Sequence, residues 1–272
     1  MVTGASSGIG ACCARQLAAM GADVIVTARR ADRLEALAKE IEQAHGVKVT
    51  VVPVDLGAPG GAARLWEATE GAGRAVDVMV NNAGFGTQDP FVEIPWERIA
   101  EQLQLNVVSL TELTHRAVKA MLARGRGFVL NVASVGAYMP VPHYATYAAG
   151  KAYVRNFTEA LAWELRRTQV HVCCLCPGST ATEFMQVAGH EDKPIYRLAT
   201  MSAERCARIG LAALFRGRRN VVSGMTNKLG MFWLRFLPRR WIVAGAALVM
   251  AKPEVPAPRA LPPGAAGPAG GP

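Results

Sequence analysis

Short runs rich in valine punctuate the chain up to residue 222: VIV at 24–26, VTVVPV at 49–54, VDVMV at 76–80, GFVLNV at 127–132, VHVCCL at 170–175 and NVV at 220–222. None alternates strictly between apolar and polar positions, which is how strands buried on both faces read. Between them lie stretches with helical spacing, at about 9–20, 31–44, 61–72, 96–123, 145–167 and 202–215. In ADRLEALAKEIEQA the residues Leu34, Leu37, Ala38 and Ile41 fall on one stripe, as in a helix packed on a sheet, and Gly46 is placed to end it. Strand and helix alternating in this way predict one α/β domain over residues 1–222, a doubly wound parallel sheet covered by helices on both faces.

The pattern changes after residue 222. KLGMFWLRFLPRRWIVAGAALVMA at 228–251 is apolar and aromatic, but Arg235, Pro238, Arg239 and Arg240 interrupt it. A membrane-spanning helix needs ~20 consecutive apolar residues, so a single-pass span is not expected. Two readings stand for this basic, apolar extension at 223–252. It caps a substrate pocket or makes a dimer contact, which is the favoured reading, or it lies in a membrane interface with Trp233 and Trp241 at headgroup level. From 253 to 272 the chain is almost wholly Pro, Ala and Gly and is expected to be disordered.

Hydrophobic residues make up 51% of the 272, ample for a buried core. The net charge of +9 is unevenly spread, with twelve basic residues and only Glu204 as an acid between Lys193 and Lys252. Such a third either attracts an anionic surface or ligand or is a solvated basic face. No nucleic-acid partner is expected. Cys12, Cys13, Cys173, Cys174, Cys176 and Cys206 sit in apolar contexts, and neighbours on a strand point to opposite faces, so they read as reduced thiols in a cytoplasmic protein rather than a metal cluster. His115, His143, His171 and His190 have no partner at metal-ligand or triad spacing.

Candidate chemistry sits in YAAGK, Tyr147 to Lys151. On a helix this spacing puts the phenol and the ammonium on one face, where a cation favours phenolate and is expected to pull the tyrosine pKa down. VTGASSGIG, Val2 to Gly10, stands where a first strand runs into a first helix, a placement that suits a pyrophosphate at the helix N-terminus. The spacing Thr3-Gly4-x-x-x-Gly8-x-Gly10, with NNAG at 81–84, Ser134, YAAGK thirteen residues later, and Pro177-Gly178, resembles the short-chain dehydrogenase/reductase family over roughly residues 2–222.

The resemblance implies a Rossmann-like sheet of order 3-2-1-4-5-6-7, and a carbonyl reductase or alcohol dehydrogenase with no metal. Its catalytic set would be Asn106, Ser134, Tyr147 and Lys151. Tyr147 would shuttle the hydroxyl proton, Ser134 would hold the substrate oxygen, Lys151 would bind the nicotinamide ribose, and the Asn106 main chain would hold a relay water. Cofactor binding would fall to Thr3, Gly4, Ser6, Ser7, Gly8, Ile9 and Gly10, to Asp55 beside the adenine, to Asn82, Ala83 and Gly84 along the trough, to Tyr147 and Lys151, and to Pro177, Gly178 and Thr182. The slot that holds an acid in NAD-preferring members matches Ala28, followed by Arg29 and Arg30. An arginine pairs with a 2′-phosphate where an acid repels it, so NADP is expected with Arg29 as its partner; Asp32, the competing acid, looks like helix N-terminal decoration. Asn131 would brace the active-site loop, Gly150 replaces a common Ser or Thr, and residues 183–200 would form a mobile lid. The substrate would be a small apolar carbonyl or alcohol near Met139, Val141, Phe184 and Met185, with His143 at its border.

Family members commonly pair through the helices at 96–123 and 145–167, so a homodimer or homotetramer is expected. A sugar-nucleotide epimerase on the same fold fits the glycine spacing less well, and a non-catalytic NADP-binding or membrane-docking protein is the reading from another class. The family's first strand usually has five or six apolar residues, whereas Met1 and Val2 stand here. A truncated first strand predicts lower stability than a version extended upstream.

Overall fold

The computed structural model describes residues 1–184 and 200–250. Most of the expected lid, including Met185 and His190, and the expected disordered tail at 253–272 lie outside the described residues.

Seven strands form a parallel sheet: β1 (Val2–Thr3), β2 (Val24–Thr27), β3 (Val49–Val51), β4 (Val78–Asn81), β5 (Gly127–Val132), β6 (Val170–Cys176) and β7 (Asn220–Val222). Their spatial order is β3-β2-β1-β4-β5-β6-β7, as the resemblance implied. A short parallel ribbon pairs Thr180–Ala181 with Met201–Ser202 at the rim.

The helices are α1 (Gly8–Ala19), α2 (Ala31–His45), α3 (Gly61–Glu67), α4 (Trp96–Leu103), α5 (Leu110–Arg124), α6 (Ala145–Glu164), α7 (Ala203–Phe215), α8 (Met225–Trp233) and α9 (Arg239–Val249). They divide the core in two. Leu17, Leu34, Leu37, Ile41, Leu211 and Leu214 bring α1, α2 and α7 onto one face, against Val24 and Val26. Leu65, Leu113, Met121 and Ala162 bring α3, α5 and α6 onto the other, against Ile25, Met79 and Val129. The same strands feed both cores, which is why their sequences are near-continuously apolar.

Several boundaries differ from the sequence expectation for local reasons. Helix α2 ends as expected at Gly46, in the left-handed conformation with φ 66°. Helix α3 stops at Glu67, where the Thr69 hydroxyl bonds back to the carbonyls of Leu65 and Trp66 and the chain turns. The single helix expected over 96–123 is split by a π-helical turn at Gln104–Ser109, which contains Asn106. Strand β1 is two residues long, with Val2 paired to Val26 and Val80.

Cys173 joins the first core while Cys174 and Cys176 point to the other face, with their Sγ atoms 3.7 Å apart. Among the described residues no group of acids, histidines and cysteines is arranged to hold a metal ion, and no helix is long and apolar enough to cross a membrane.

Candidate active site

The turn between β1 and α1 is laced to the end of β4. Thr3 Oγ1 accepts from the backbone amides of Asn82 and Ala83, each at 3.0 Å, and Asn82 Nδ2 donates to the carbonyls of Thr3 and Gly4. A Cβ on Gly10 would stand 2.3 Å from the Gly4 carbonyl oxygen, so only glycine lets helix α1 start this close to the turn. Gly8, with φ 56°, lies under Thr182, whose methyl carbon would sit 2.8 Å from an added Cβ. The exposed amides at the start of α1 and the missing side chains make a cradle that suits a pyrophosphate.

Beyond β2 the two arginines diverge. Arg29 reaches outward to Glu101 at 3.1 Å. Arg30 turns in, donating to Ser6 Oγ at 3.0 Å and Ser7 Oγ at 3.2 Å, and pairs with Glu183 at 2.9 Å. Arg33, on the first turn of α2, also pairs with Glu183. Arg33 and Arg30 together hold the Glu183 carboxyl down at about 2. Asp32 lies in that same first turn, as its decorative reading implied, and Asp55 Oδ1 accepts from the Gly57 amide at 2.8 Å.

Ser134 leaves the end of β5 and caps a short 3₁₀ turn, its Oγ accepting from the Gly136 amide at 3.1 Å. Tyr147 and Lys151 stand one turn apart at the start of α6, both buried. The chain enters this helix through His143, whose φ of 61° is rare outside glycine and whose carbonyl accepts from the Asp89 amide. Ser134 lies beside the Tyr147 phenol, where its side chain favours the ionised form. Lys151 Nζ donates to the Val132 carbonyl at 2.9 Å and lies 5.7 Å from the centre of the Tyr147 ring.

Electrostatics correct one expectation. The Tyr147 pKa is not pulled down by Lys151; burial pushes it up to about 12, against the lowering effect of the Ser134 side chain. Burial likewise lowers Lys151 from 10.5 to about 8. For both groups desolvation is the leading cause of the shift.

Asn106 is held by its side chain, with Nδ2 donating to the Phe85 carbonyl at 2.8 Å and Oδ1 accepting from the Phe85 amide. The π turn around it interrupts the helical hydrogen-bond ladder at the residue where a main-chain relay was implied. Asn131 differs from expectation. It bonds to Asn81, Thr114 and Thr158, tying β5 to β4, α5 and α6 inside the protein rather than bracing a loop.

Many of these groups open onto one cavity of about 870 Å³. One end is lined by Gly4, Ser6, Ser7, Gly8, Ile9, Arg29, Arg30, Asp55 and Asn82 to Gly84. The middle holds Ser134, Tyr147, Lys151, Pro177, Gly178 and Thr182. The other end is apolar, lined by Met139, Val141, Tyr144, Phe184, Leu234, Leu237, Trp241, Ile242, Val249 and Met250. The turn at 234–237 and helix α9 therefore roof the apolar end, and Gln88 Nε2 donates to the Met250 carbonyl at its far end.

Sequence reasoning named Arg29 and passed over Arg33, Glu183 and Tyr144. Two basic residues flanking an acid on the first turn of α2 were the available signal for Arg33; nothing in the local pattern marked Glu183. Of the expected site residues, the structure brings Thr3 into the turn as a brace rather than as part of the cavity wall. The others converge on the cavity except Gly10, which shapes the turn, and Asn106, which is pinned behind Phe85.

The family model for short chain dehydrogenases matches residues 1–193. A 7beta-hydroxysteroid dehydrogenase of Collinsella aerofaciens is 30% identical over 231 residues, covering 84% of this chain and 86% of the relative. One from Clostridium sardiniense is 34% identical over 182 residues, covering 67% and 69%. Among solved structures, one addressing 7beta-hydroxysteroid dehydrogenase stereoselectivity superposes with a TM-score of 0.83 at 28% identity, over 90% of this chain and 95% of that one. A short-chain dehydrogenase from Sphingobium yanoikuyae in complex with NADPH gives a TM-score of 0.78 at 27% identity, over 95% and 98%.

Proposed function

Because this chain belongs to the short-chain dehydrogenase/reductase family, we propose that it interconverts a ketone and a secondary alcohol on a bulky apolar molecule, using NADP(H). The observation that carries this reading is the buried Tyr147 phenol, set beside Ser134 between a glycine-shaped cradle and an apolar chamber. Bound NADP would supply or accept the hydride; the chain's own residues do the rest.

A phenol with its pKa pushed up to about 12 is protonated throughout neutral pH. Tyr147 is thus set to donate its proton to a carbonyl oxygen during reduction. Ser134, fixed by its bond from Gly136, orients that oxygen. Lys151 places a cation behind the phenol and stabilises the phenolate that donation leaves. Asn106 and the π turn offer the main-chain carbonyls through which the proton is replaced from solvent.

For the adenine end we propose Arg30, with Ser6 and Ser7, as the group that meets a 2′-phosphate, and Arg29 as a secondary contact. Arg30 converges on both hydroxyls and also pairs with the Glu183 carboxylate, so its guanidinium is already placed to hold an anionic group. NADPH and NADP in related structures accord with this preference. The apolar lining at the far end fits a bulky apolar substrate such as a steroid, the class named for the 7beta-hydroxysteroid relatives. Pairing of two chains through α5 and α6 is also proposed, supported by exposed Leu122 on α5 and exposed Tyr153 and Trp163 on α6.

The test is NADPH-dependent reduction of a panel of bulky ketones, with NADH in parallel. Tyr147→Phe is expected to lose roughly 10²–10⁴-fold in kcat while still binding NADPH by fluorescence. Undiminished turnover in that variant would refute Tyr147 as the proton donor, and equal use of NADH would refute the arginine argument.

A further inference from the structure

The roof over the apolar chamber has an outer side that no part of the described protein covers. No residue of α8 or α9 is buried. Trp233 is 62% exposed, Phe236 67%, Trp241 59% and Leu248 79%, so large apolar side chains face solvent along both helices and the turn between them. They are not scattered. The rings of Phe232, Trp233 and Phe236 touch, with centroids 5.5 to 5.9 Å apart.

Charge separates the possible occupants. Residues 225–250 carry Lys228, Arg235, Arg239 and Arg240 and no acid. None of the four makes an ion pair among the described residues. A second copy laid face to face would set these cations against their own counterparts, with aromatic area gained only at that cost. An anionic lipid surface meets both features at once, because tryptophan and phenylalanine settle at the boundary of headgroup and acyl chain while arginine reaches lipid phosphate. Pro238 and the helix lengths exclude spanning, so the segment would lie in the surface.

We propose that α8 and α9 dock the protein on an anionic bilayer, with Trp233, Phe236 and Leu248 entering the interface and Lys228, Arg235, Arg239 and Arg240 contacting phosphates. Trp241, Leu234 and Leu237 also line the chamber, so docking sets the chamber wall against lipid, where apolar substrates concentrate. This inference stands apart from the redox reading, since lipid binding does not require turnover.

The experiment is flotation of the full chain with vesicles of phosphatidylcholine alone and with about 30% phosphatidylserine added, at low salt and in 0.5 M sodium chloride, conditions that separate charge from apolar insertion. Flotation on the phosphatidylserine vesicles, reversed by salt, is expected. Trp233→Ser with Phe236→Ser, and separately Arg235→Glu with Arg239→Glu, are expected to weaken partitioning by at least roughly a hundredfold. These residues lie outside the chamber lining, and circular dichroism with thermal melting reports that each variant is folded. Failure of the parent to float, equal flotation on neutral vesicles, or flotation unchanged by both variants overturns the proposal. A dimer in sedimentation that Trp233→Ser with Phe236→Ser dissolves, with no vesicle binding by the parent, assigns the face to a second copy instead.

Discussion

Replacing Lys151 by methionine is expected to make the protein more stable at neutral pH and to abolish its activity. The Lys151 side chain is only 3% exposed and its ammonium has one hydrogen bond, to the Val132 carbonyl at 2.9 Å. Burial lowers its pKa from 10.5 to about 8, a difference equivalent to about 3 kcal/mol of folding free energy at pH 7. Methionine has a comparable length and no charge to desolvate. Loss of a donor to the Val132 carbonyl returns about 1–2 kcal/mol. The net expectation is a gain of about 1–2 kcal/mol, a few degrees in Tm for a chain of this size.

The pH dependence is what makes the explanation refutable. Between pH 8 and 10.5 the unfolded chain keeps a proton on Lys151 that the folded chain has lost. Parent stability therefore rises with pH through that window, and the lead of Lys151→Met shrinks and vanishes near the top of it. Tyr147 does not interfere below pH 10, because a folded pKa of about 12 against 10 unfolded gives stability that is complete below 10 and lost above it. Urea denaturation at pH 7, 8.5 and 9.5 measures the lead directly. A variant less stable than the parent at pH 7, or a lead that does not change with pH, would refute desolvation as the dominant cost at this residue.

Arg30→Ser is expected to raise the Kd for NADPH about 10- to 100-fold, the worth of a charge-assisted pair, while leaving NADH binding nearly unchanged; an equal loss for both would place the 2′-phosphate elsewhere. Alcohol oxidation, which needs Tyr147 as phenolate, is expected to accelerate with pH over the range in which carbonyl reduction stays flat, because burial holds the phenol neutral; parallel pH profiles would count against Tyr147 as the shared group. Gly10→Ala forces a Cβ to within 2.3 Å of the Gly4 carbonyl oxygen and is expected to cost about 1–3 kcal/mol in urea unfolding along with cofactor binding.

Most of the sheet was legible because burial on both faces writes itself into the strands as valine-rich runs, whereas the strand order came from the family resemblance. The candidate pair was legible for a different reason: Tyr147 and Lys151 are neighbours on one helix, so their spacing is a local fact, while the role proposed for them came with the family resemblance. Arg30 was harder. Arg29 and Arg30 have equal claims in sequence, and only the twist at the end of β2 sends one to Glu101 and the other to Ser6. Tyrosine acidity could not be read at all, since Lys151 suggests a lowered pKa by proximity and burial reverses the sign. Desolvation depends on what covers the residue, and the cover comes from parts of the chain far away in sequence.

That cover also explains why the segment at 225–250 resists a single reading from sequence. A helix with apolar residues all round usually signals complete burial. Here the inner side closes a chamber through Leu234, Leu237 and Ile242, while the outer side leaves Trp233, Phe236 and Leu248 in water. Closing the chamber needs only one face, so pocket capping accounts for half of the apolar residues and leaves the aromatic cluster and its cations without a structural task. Were capping the whole role, polar residues on the outer face would serve equally well and with less tendency to aggregate. The two readings of the segment are therefore not rivals: one face builds the substrate chamber, and the other is built for a surface that is both apolar and anionic.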